Sequence, residues 1–470
     1  MKIPGLYLLM RGVVGIALGF YFRRIERFHP ERVPLHGPVL FTCNHPNSLT
    51  DSFLVGDAVP RKVNFVATVQ LFQFKPLKWL LTNCGVIPIN RVKDDPRAMR
   101  TVADTFEACY RVLERGEAIG IFPEGITHDD PQLKTVKTGA ARMALELEHR
   151  HGGKLGLQIV TVGLTLSAKE KYRSEALVNF GEPIRAADFL LGYPERKKEC
   201  INQLNEAIEQ SIQSLILHIP QIEHARIVEA VKRLYLERLR DEDRALSGPM
   251  LPGAEELTLT QRIVRAVERV YQTDPERAAN FVHKLDLYEK WRARFNLSDE
   301  SLASTPQKRR LARQAFVWAM MAILGAPIAL YGWAHRLLPF CVVAWSVKKF
   351  AHVDKHKAQT STAAIIAGVV SFTFFYALYA WVFHLFFDWH TTIWYILTLP
   401  LAGIISHYYV RELRRLSAGW HDTLILLRTP AAARRLVALR AELIAEIEAA
   451  AANLRQSRTE TDQTTVTRAS

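Results

Sequence analysis

Between Val39 and Ile184 short apolar runs alternate with amphipathic stretches. The runs Val39–Asn44, Val63–Thr68, Val86–Arg91, Ala118–Phe122, Leu157–Leu166 and Ala176–Phe180 predict strands, and Ser52–Ala58, Leu71–Thr82, Pro96–Arg115 and Lys137–His149 predict the helices between them. Such alternation over short connections is the pattern of an α/β domain, a layered sheet with flanking helices, here spanning residues 28–190. From Pro194 onward the period lengthens: Leu204, Ile208, Ile212 and Leu215 recur at three-to-four spacing and open a charged helical region over 191–310. The turn-rich stretch Gly248-Pro249-Met250-Leu251-Pro252-Gly253 marks a linker within it.

The pattern then changes solvent. Residues 315–410 hold 7 charged residues in 96 positions, against 23% for the whole chain. The runs 361–387 and 392–410 carry none, and 27 residues at ~1.5 Å each exceed the ~30 Å of a bilayer's hydrocarbon core. The run 315–347 contains only Arg336, with Lys308, Arg309, Arg310 and Arg313 before it and Lys348 and Lys349 after it. Basic clusters at both ends place both ends in the cytosol, so this run is expected to be a hairpin broken near Gly325-Ala326-Pro327 or Pro339. The 388–391 loop has no Lys or Arg, whereas Arg411, Arg414 and Arg415 follow the last run. The expectation is an integral membrane protein with its α/β domain and its tail both facing the cytosol.

At the N-terminus an apolar run, Gly12–Phe22, lies between Arg11 and the basic group Arg23, Arg24 and Arg27. Residues 1–27 read as an uncleaved interfacial helix with these arginines near anionic headgroups, or as a core-packing helix. Leu71–Leu81 mixes Phe72, Phe74 and Trp79 with Lys75 and Lys78, which suits either a membrane surface or core packing. Beyond the apolar segment, 411–456 is helical. Thr429 and Pro430 read as N-cap and first helical residue, and Leu436, Leu439, Leu443 and Ile447 form a stripe that packs within the chain or on a partner. The Thr-rich stretch 457–470 is expected to be disordered.

A net charge of +14 invites a nucleic-acid reading, but no binding motif accompanies it, and many cations flank apolar segments. Anionic lipids and phosphorylated substrates account for it better. Five cysteines without CxxC spacing argue against a disulfide framework or a zinc site.

Four blocks carry chemistry. Asn44-His45-Pro46-Asn47-Ser48-Leu49-Thr50-Asp51 follows the first strand, Gly85-Val86-Ile87-Pro88-Ile89-Asn90-Arg91 ends in a cation, Phe122-Pro123-Glu124-Gly125-Ile126-Thr127-His128-Asp129 leaves another strand, and Ile159–Leu164 is apolar. Each alone reads as ordinary structure. A strand end opening into a helix is nonetheless where α/β folds place ligands. Taken together, their order over about 120 residues resembles the glycerolipid acyltransferase superfamily, whose members acylate glycerol 3-phosphate or lysophosphatidate. The Thr127-His128-Asp129 continuation, with Lys171-Tyr172-Arg173-Ser174 and Val178-Asn179-Phe180-Gly181, is most similar to the glycerol-3-phosphate/dihydroxyacetone-phosphate branch.

The resemblance implies an acyltransferase fold and transfer of a fatty acyl group from acyl-CoA or acyl carrier protein to glycerol 3-phosphate. It implies no cofactor and no metal. His45 would be the base and Asp51 its partner, with Glu124 and Gly125 holding the acceptor's hydroxyls. Phosphate contacts are assigned to Arg91, Lys137 and Arg173. The chain departs from the family pattern in three places. Five residues separate His45 from Asp51 where four are usual, with Thr50 in the usual Asp position; Thr127-His128 replaces an Arg; and Thr161 replaces a proline. One extra residue rotates a helical side chain by ~100°, which would part the pair unless the turn at Pro46 absorbs it. Two alternatives follow, 1-acylglycerol 3-phosphate as acceptor and a non-catalytic membrane adaptor on the same fold.

Overall fold

The computed structural model describes residues 5–89, 99–248, 250–302, 308–350 and 359–469. It divides into two units: residues 1–222 with 250–257 and 343–369, and residues 223–249 with 258–342 and 370–470.

The first unit begins with α1 (Gly5–Tyr21), β1 (Arg24–Phe28), β2 (Val39–Cys43), α2 (Leu49–Ala58), β3 (Val63–Thr68), α3 (Lys75–Asn83) and β4 (Ile87–Ile89). It continues with α4 (Met99–Glu114), β5 (Ala118–Ile121), α5 (Gly139–Arg150), β6 (Gln158–Leu166), β7 (Glu175–Phe180), β8 (Ile184–Arg185) and α6 (Lys197–Leu215). The strands form one eight-stranded sheet in the order β1-β7-β6-β2-β5-β3-β4, with β8 on β6. β6, β2, β5, β3 and β4 run parallel, and β7 and β8 pair antiparallel to β6.

Strands buried on both faces are continuously apolar, which is why β2 reads Val-Leu-Phe-Thr-Cys with all five residues buried. Its alternate side chains feed two cores. Leu40, with Ile119 and Ile159, packs under α4, α5 and α6. Val39, Phe41 and Cys43 pack with Leu18 of α1 and with Leu54 and Val55 of α2.

One expectation about this unit changes, and two open alternatives narrow. Residues 24–28, expected to end an interfacial segment, form the edge strand β1, paired in parallel with β7. The basic residues there find protein partners rather than free solvent: Arg23 and Arg24 with Glu175, Arg27 with Asp57 at 2.7 Å, and Arg11 with the carbonyl of Val59 at 2.8 Å. α1 itself joins the core through Leu18 and Tyr21, while Leu8, Leu9 and Ile16 remain exposed. On α3 no residue is buried, and Phe74 and Trp79 are 67% and 62% exposed, so these two aromatics do not pack in the core.

The remaining helices are α7 (Ala225–Ser247), α8 (Pro252–Thr273), α9 (Pro275–Phe295), α10 (Asp299–Leu302), α11 (Lys308–Phe350), α12 (Thr360–His384), α13 (Trp389–Arg428) and α14 (Pro430–Ala469). Among the described residues three helices are long and apolar enough to cross a membrane, namely Ala315–Phe350 within α11, all of α12, and α13. The expected hairpin over 315–347 is instead one continuous helix with Pro327 and Pro339 inside it. Each proline removes one backbone hydrogen bond, which kinks a helix without reversing the chain. α14 buries Leu436 and Leu443, and its Glu446 pairs with Lys284 of α9, so the stripe packs within the chain. The helix also continues through 457–469, which composition marked as disordered. Once an Ala-rich segment has nucleated a helix, each further residue adds one bond at little cost.

Candidate active site

The topology makes the site. β2 and β5 are adjacent and parallel, so the loops leaving their C-terminal ends, Asn44–Ser48 and Phe122–Asp130, emerge side by side. Asn44 fixes the first loop to the next strand over: its Nδ2 donates to Leu164 O at 3.0 Å and its Oδ1 accepts from Leu164 N at 2.7 Å. The backbone N–H of His45 then donates to Glu124 Oε1 at 2.8 Å.

His45 Nδ1 lies 2.8 Å from Asp51 Oδ2. A carboxylate only accepts, so Nδ1 carries the proton and Nε2 of the neutral ring is left as an acceptor. The His45 side chain is 16% exposed and its Nε2 has no hydrogen-bond partner among the described residues. The imidazole stacks on Phe122 at 4.2 Å between ring centroids, and Phe122 stacks on Phe65 at 6.3 Å. Gly120 makes room for that stack, since a Cβ there would come within 2.5 Å of a Phe65 ring carbon.

The extra residue between His45 and Asp51 is absorbed in the turn. Ser48 adopts φ 57°, ψ −136°, a conformation that costs a non-glycine residue about 1–3 kcal/mol, and α2 starts immediately after it. Asp51 is fully buried in the first turn of α2, where the helix N-terminus favours an anion, and its Oδ2 also accepts from Asn47 N at 2.7 Å. Burial nevertheless raises the Asp51 carboxyl above its ordinary value, against the lowering effects of His45, the Asn47 N–H and the Lys169 ammonium.

Glu124 is 2% exposed. Besides His45 N, its carboxylate accepts from Lys134 N at 2.9 Å and from His128 Nε2 at 2.6 Å. Both oxygens hold the loop and the His45 backbone, a positional task beside the contact with acceptor hydroxyls that the resemblance implies. His128, standing where the family pattern has an Arg, occupies that carboxylate. Gly125 takes φ +66° at the turn, and Lys137 Nζ occupies the space a Cβ would fill. Lys137 is exposed and its ammonium has no partner among the described residues.

Arg173 lies elsewhere in its interactions. Its guanidinium donates to the carbonyls of Gly19 and Phe22, both at 3.2 Å, at the C-terminal end of α1. These contacts hold it at α1, and its phosphate contact stays an expectation of the resemblance. Arg91 lies outside the described residues. Lys169, which local sequence does not single out, reaches the site from the loop after β6: its Nζ donates to His128 O at 2.8 Å. Among the described residues no group of three or more His, Cys, Asp or Glu is placed to hold a metal ion.

Residues 24–165, the stretch from β1 into β6 with both site loops, match the family model described as Acyltransferase. The chain is 28% identical over 197 residues to glycerol-3-phosphate O-acyltransferase 1 of Saccharomyces cerevisiae, covering 41% of this chain and 24% of the yeast protein. It is 26% identical over 200 residues to 1-acyl-sn-glycerol-3-phosphate acyltransferase of Bacillus subtilis, covering 42% of this chain and 91% of that protein. The chain thus spans about a quarter of the length of the yeast relative. Among solved structures, the 1-acyl-sn-glycerophosphate acyltransferase of Thermotoga maritima matches with a TM-score of 0.34 at 16% identity, covering 44% of this chain and 79% of that one.

Proposed function

We propose that this chain is a membrane-bound O-acyltransferase that moves a fatty acyl group from a thioester, acyl-CoA or acyl carrier protein, to the free hydroxyl of glycerol 3-phosphate. The observation that carries this is the buried His45–Asp51 pair, with Nε2 of the ring left open at the strand ends of the stretch that matches the acyltransferase family model. A glycerol hydroxyl is a poor nucleophile at neutral pH. Nε2 takes its proton as the oxygen attacks the thioester carbon, Asp51 stabilises the imidazolium, and the C–S bond breaks as the ester forms. The proton then passes to the departing thiolate, so no cofactor is needed. No covalent acyl-enzyme forms in this scheme.

For the acceptor's phosphate the reading uses the unpaired Lys137 ammonium and, by resemblance, Arg91. A lysophosphatidate acceptor is the second reading, supported by the similarity to the Bacillus subtilis protein. The adaptor reading loses its one support, because the longer turn still brings His45 and Asp51 to 2.8 Å. Orientation belongs to the same proposal. The thioester donor, acyl-CoA or acyl carrier protein, is the ground for placing the catalytic unit on the cytosolic face, whereas the basic residues at 308–313 and 348–349, at the two ends of the continuous α11, set no side.

The test is purified chain in lipid with a radiolabelled acyl donor and the two acceptors side by side. Glycerol 3-phosphate is expected to give the faster turnover. Faster acylation of 1-acylglycerol 3-phosphate would reassign the acceptor, and no transfer to either would sink the enzyme reading.

A further inference from the structure

Thr50 stands one position before Asp51, where the family pattern has its acid. Its side chain enters a buried cluster with the first turn of α12. Thr362 Oγ1 accepts from Thr50 N at 3.2 Å and lies 2.9 Å from Thr50 Oγ1, which lies 3.0 Å from Ser361 Oγ. The Thr362 hydroxyl also reaches Asn47 O at 3.5 Å. Thr50 and Ser361 are fully buried and Thr362 nearly so. One arrangement of protons satisfies every bond: Ser361 donates to Thr50, Thr50 to Thr362, and Thr362 to the Asn47 carbonyl.

These bonds do what a helix cap does. The first N–H groups of a helix lack partners within it, and a serine at the N-cap ordinarily supplies one through its side chain. Ser48, at that position of α2, makes no such bond. The hydroxyl of Thr362 serves Thr50 N from 312 residues away. Ile365, about one turn further along α12, packs in the same core as Leu54 and Val55 of α2, so the first turn of α12 is anchored by apolar contact as well. The stretch it caps includes the left-handed Ser48, and strained turns persist only where their surroundings over-determine them.

We infer that Ser361 and Thr362 are positioning residues, a distant cap that holds the lengthened His45–Asp51 turn in its active geometry and ties it to the entrance of an apolar helix. The kinetic part rests on the acyltransferase reading. The amide-exchange part does not.

The experiment uses the full chain in lipid nanodiscs with Thr362→Val, Ser361→Ala and Thr362→Ser, reading kcat, KM for glycerol 3-phosphate and hydrogen–deuterium exchange over residues 45–51. Thr362→Val, nearly isosteric but without the hydroxyl, is expected to lower kcat about 10- to 100-fold, as small misplacements of catalytic groups do, with KM within about twofold. Its Thr50 amide should exchange faster than in the wild type. Ser361→Ala keeps the bond to Thr50 N and should lose less, and Thr362→Ser should recover most of kcat. Wild-type kcat in Thr362→Val overturns the inference, as does Thr362→Ser as slow as Thr362→Val, which would show that the hydroxyl alone does not hold the turn. Should Thr362→Val fold poorly, Thr362→Ala with unchanged kcat and unchanged exchange at Thr50 has the same consequence. A wild-type chain that transfers no acyl group defeats the acyltransferase reading and the kinetic role together, while unchanged exchange in Thr362→Val defeats the cap itself.

Discussion

Two clusters of ionisable side chains, one in each unit, differ in what they leave unused. In the helical unit Glu289 accepts from Arg226 at 2.8 Å and from Arg233 at 2.9 Å, while Asp299 accepts from Arg292 at 2.9 Å and from the Tyr288 hydroxyl. Both carboxylates there are answered by arginines, and the cluster joins α7, α9 and α10. In the α/β unit the same chemistry is arranged with a gap. Asp51 Oδ2 and both Glu124 oxygens accept hydrogen bonds, while Asp51 Oδ1 is buried without a partner and the imidazole keeps one nitrogen free among the described residues. Saturated networks hold structure, whereas a rigidly held group with an open valence can act on something else.

The largest effect expected of this contrast is on turnover. His45→Ala removes the open nitrogen and should lower kcat by ~10²–10⁴-fold, with a lower thermal midpoint because the buried Asp51 carboxylate loses its partner, and wild-type turnover would dissolve the distinction. Asp51→Asn should lower kcat by a similar ~10²–10⁴-fold while moving stability the other way. Burial holds this carboxyl above its ordinary value, so the folded chain binds the proton more readily than the unfolded chain does. The contribution of Asp51 to stability therefore falls as pH rises through the folded value, and the uncharged variant should melt higher than wild type at neutral pH. Differential scanning fluorimetry in detergent decides this, and a lower midpoint would contradict it.

Glu124→Ala strands the donors of His45, His128 and Lys134. It should cost about 1–3 kcal/mol of stability for each donor that water cannot reach, together with activity, read by thermal melts beside the acyl-transfer assay. Gly120→Ala forces the Phe65–Phe122–His45 stack to shift, at about 1–3 kcal/mol, and its kcat should fall with its midpoint.

The smallest effect belongs to the arginine-paired cluster of the helical unit. Burial pushes the Glu289 carboxyl up, but Arg226 and Arg233 outweigh it and leave it below its ordinary value. Its stabilisation is therefore complete above the unfolded carboxylate range and is lost as pH falls through the folded value. Glu289→Gln should lower the midpoint by no more than ~2–4 °C at neutral pH, with the gap to wild type closing on acidification and kcat unchanged. A loss of turnover there would show the two clusters to be less separable than their bonding suggests.

Much of this was legible in one dimension. The alternation of apolar runs located every strand from β2 to β7, because strands buried on both faces are continuously apolar whatever surrounds them. The edge strand β1 was missed, since Arg24-Ile-Glu-Arg-Phe28 is half polar and reads as a basic flank until Glu175 is beside it. The runs over 361–387 and 392–410 predicted α12 and α13 from hydropathy alone, whereas the continuity of α11 through two prolines was not predictable from their presence. Of the site, His45, Asp51, Glu124 and Gly125 were named through the family resemblance of the blocks that hold them. Lys169, the caps from Ser361 and Thr362, and the contacts of Arg173 with α1 were not, because they depend on residues between about 40 and 320 positions away.

By itself the sequence determined that the chain has a layered α/β domain and an apolar segment of membrane-crossing length, which follow from local periodicity. The His45–Asp51 pair proposed for the chemistry came from the resemblance of its motifs to a family. The tertiary structure alone decided that a turn one residue too long still closes His45 onto Asp51. Ser48 takes up the extra residue in a left-handed conformation, Glu124 holds the His45 backbone from the neighbouring strand end, and Thr362 caps α2 from the far side of the sequence. No spacing rule encodes that outcome, because the free energy that stabilises the strained turn lies in bonds formed only after the sheet and α12 have assembled around it.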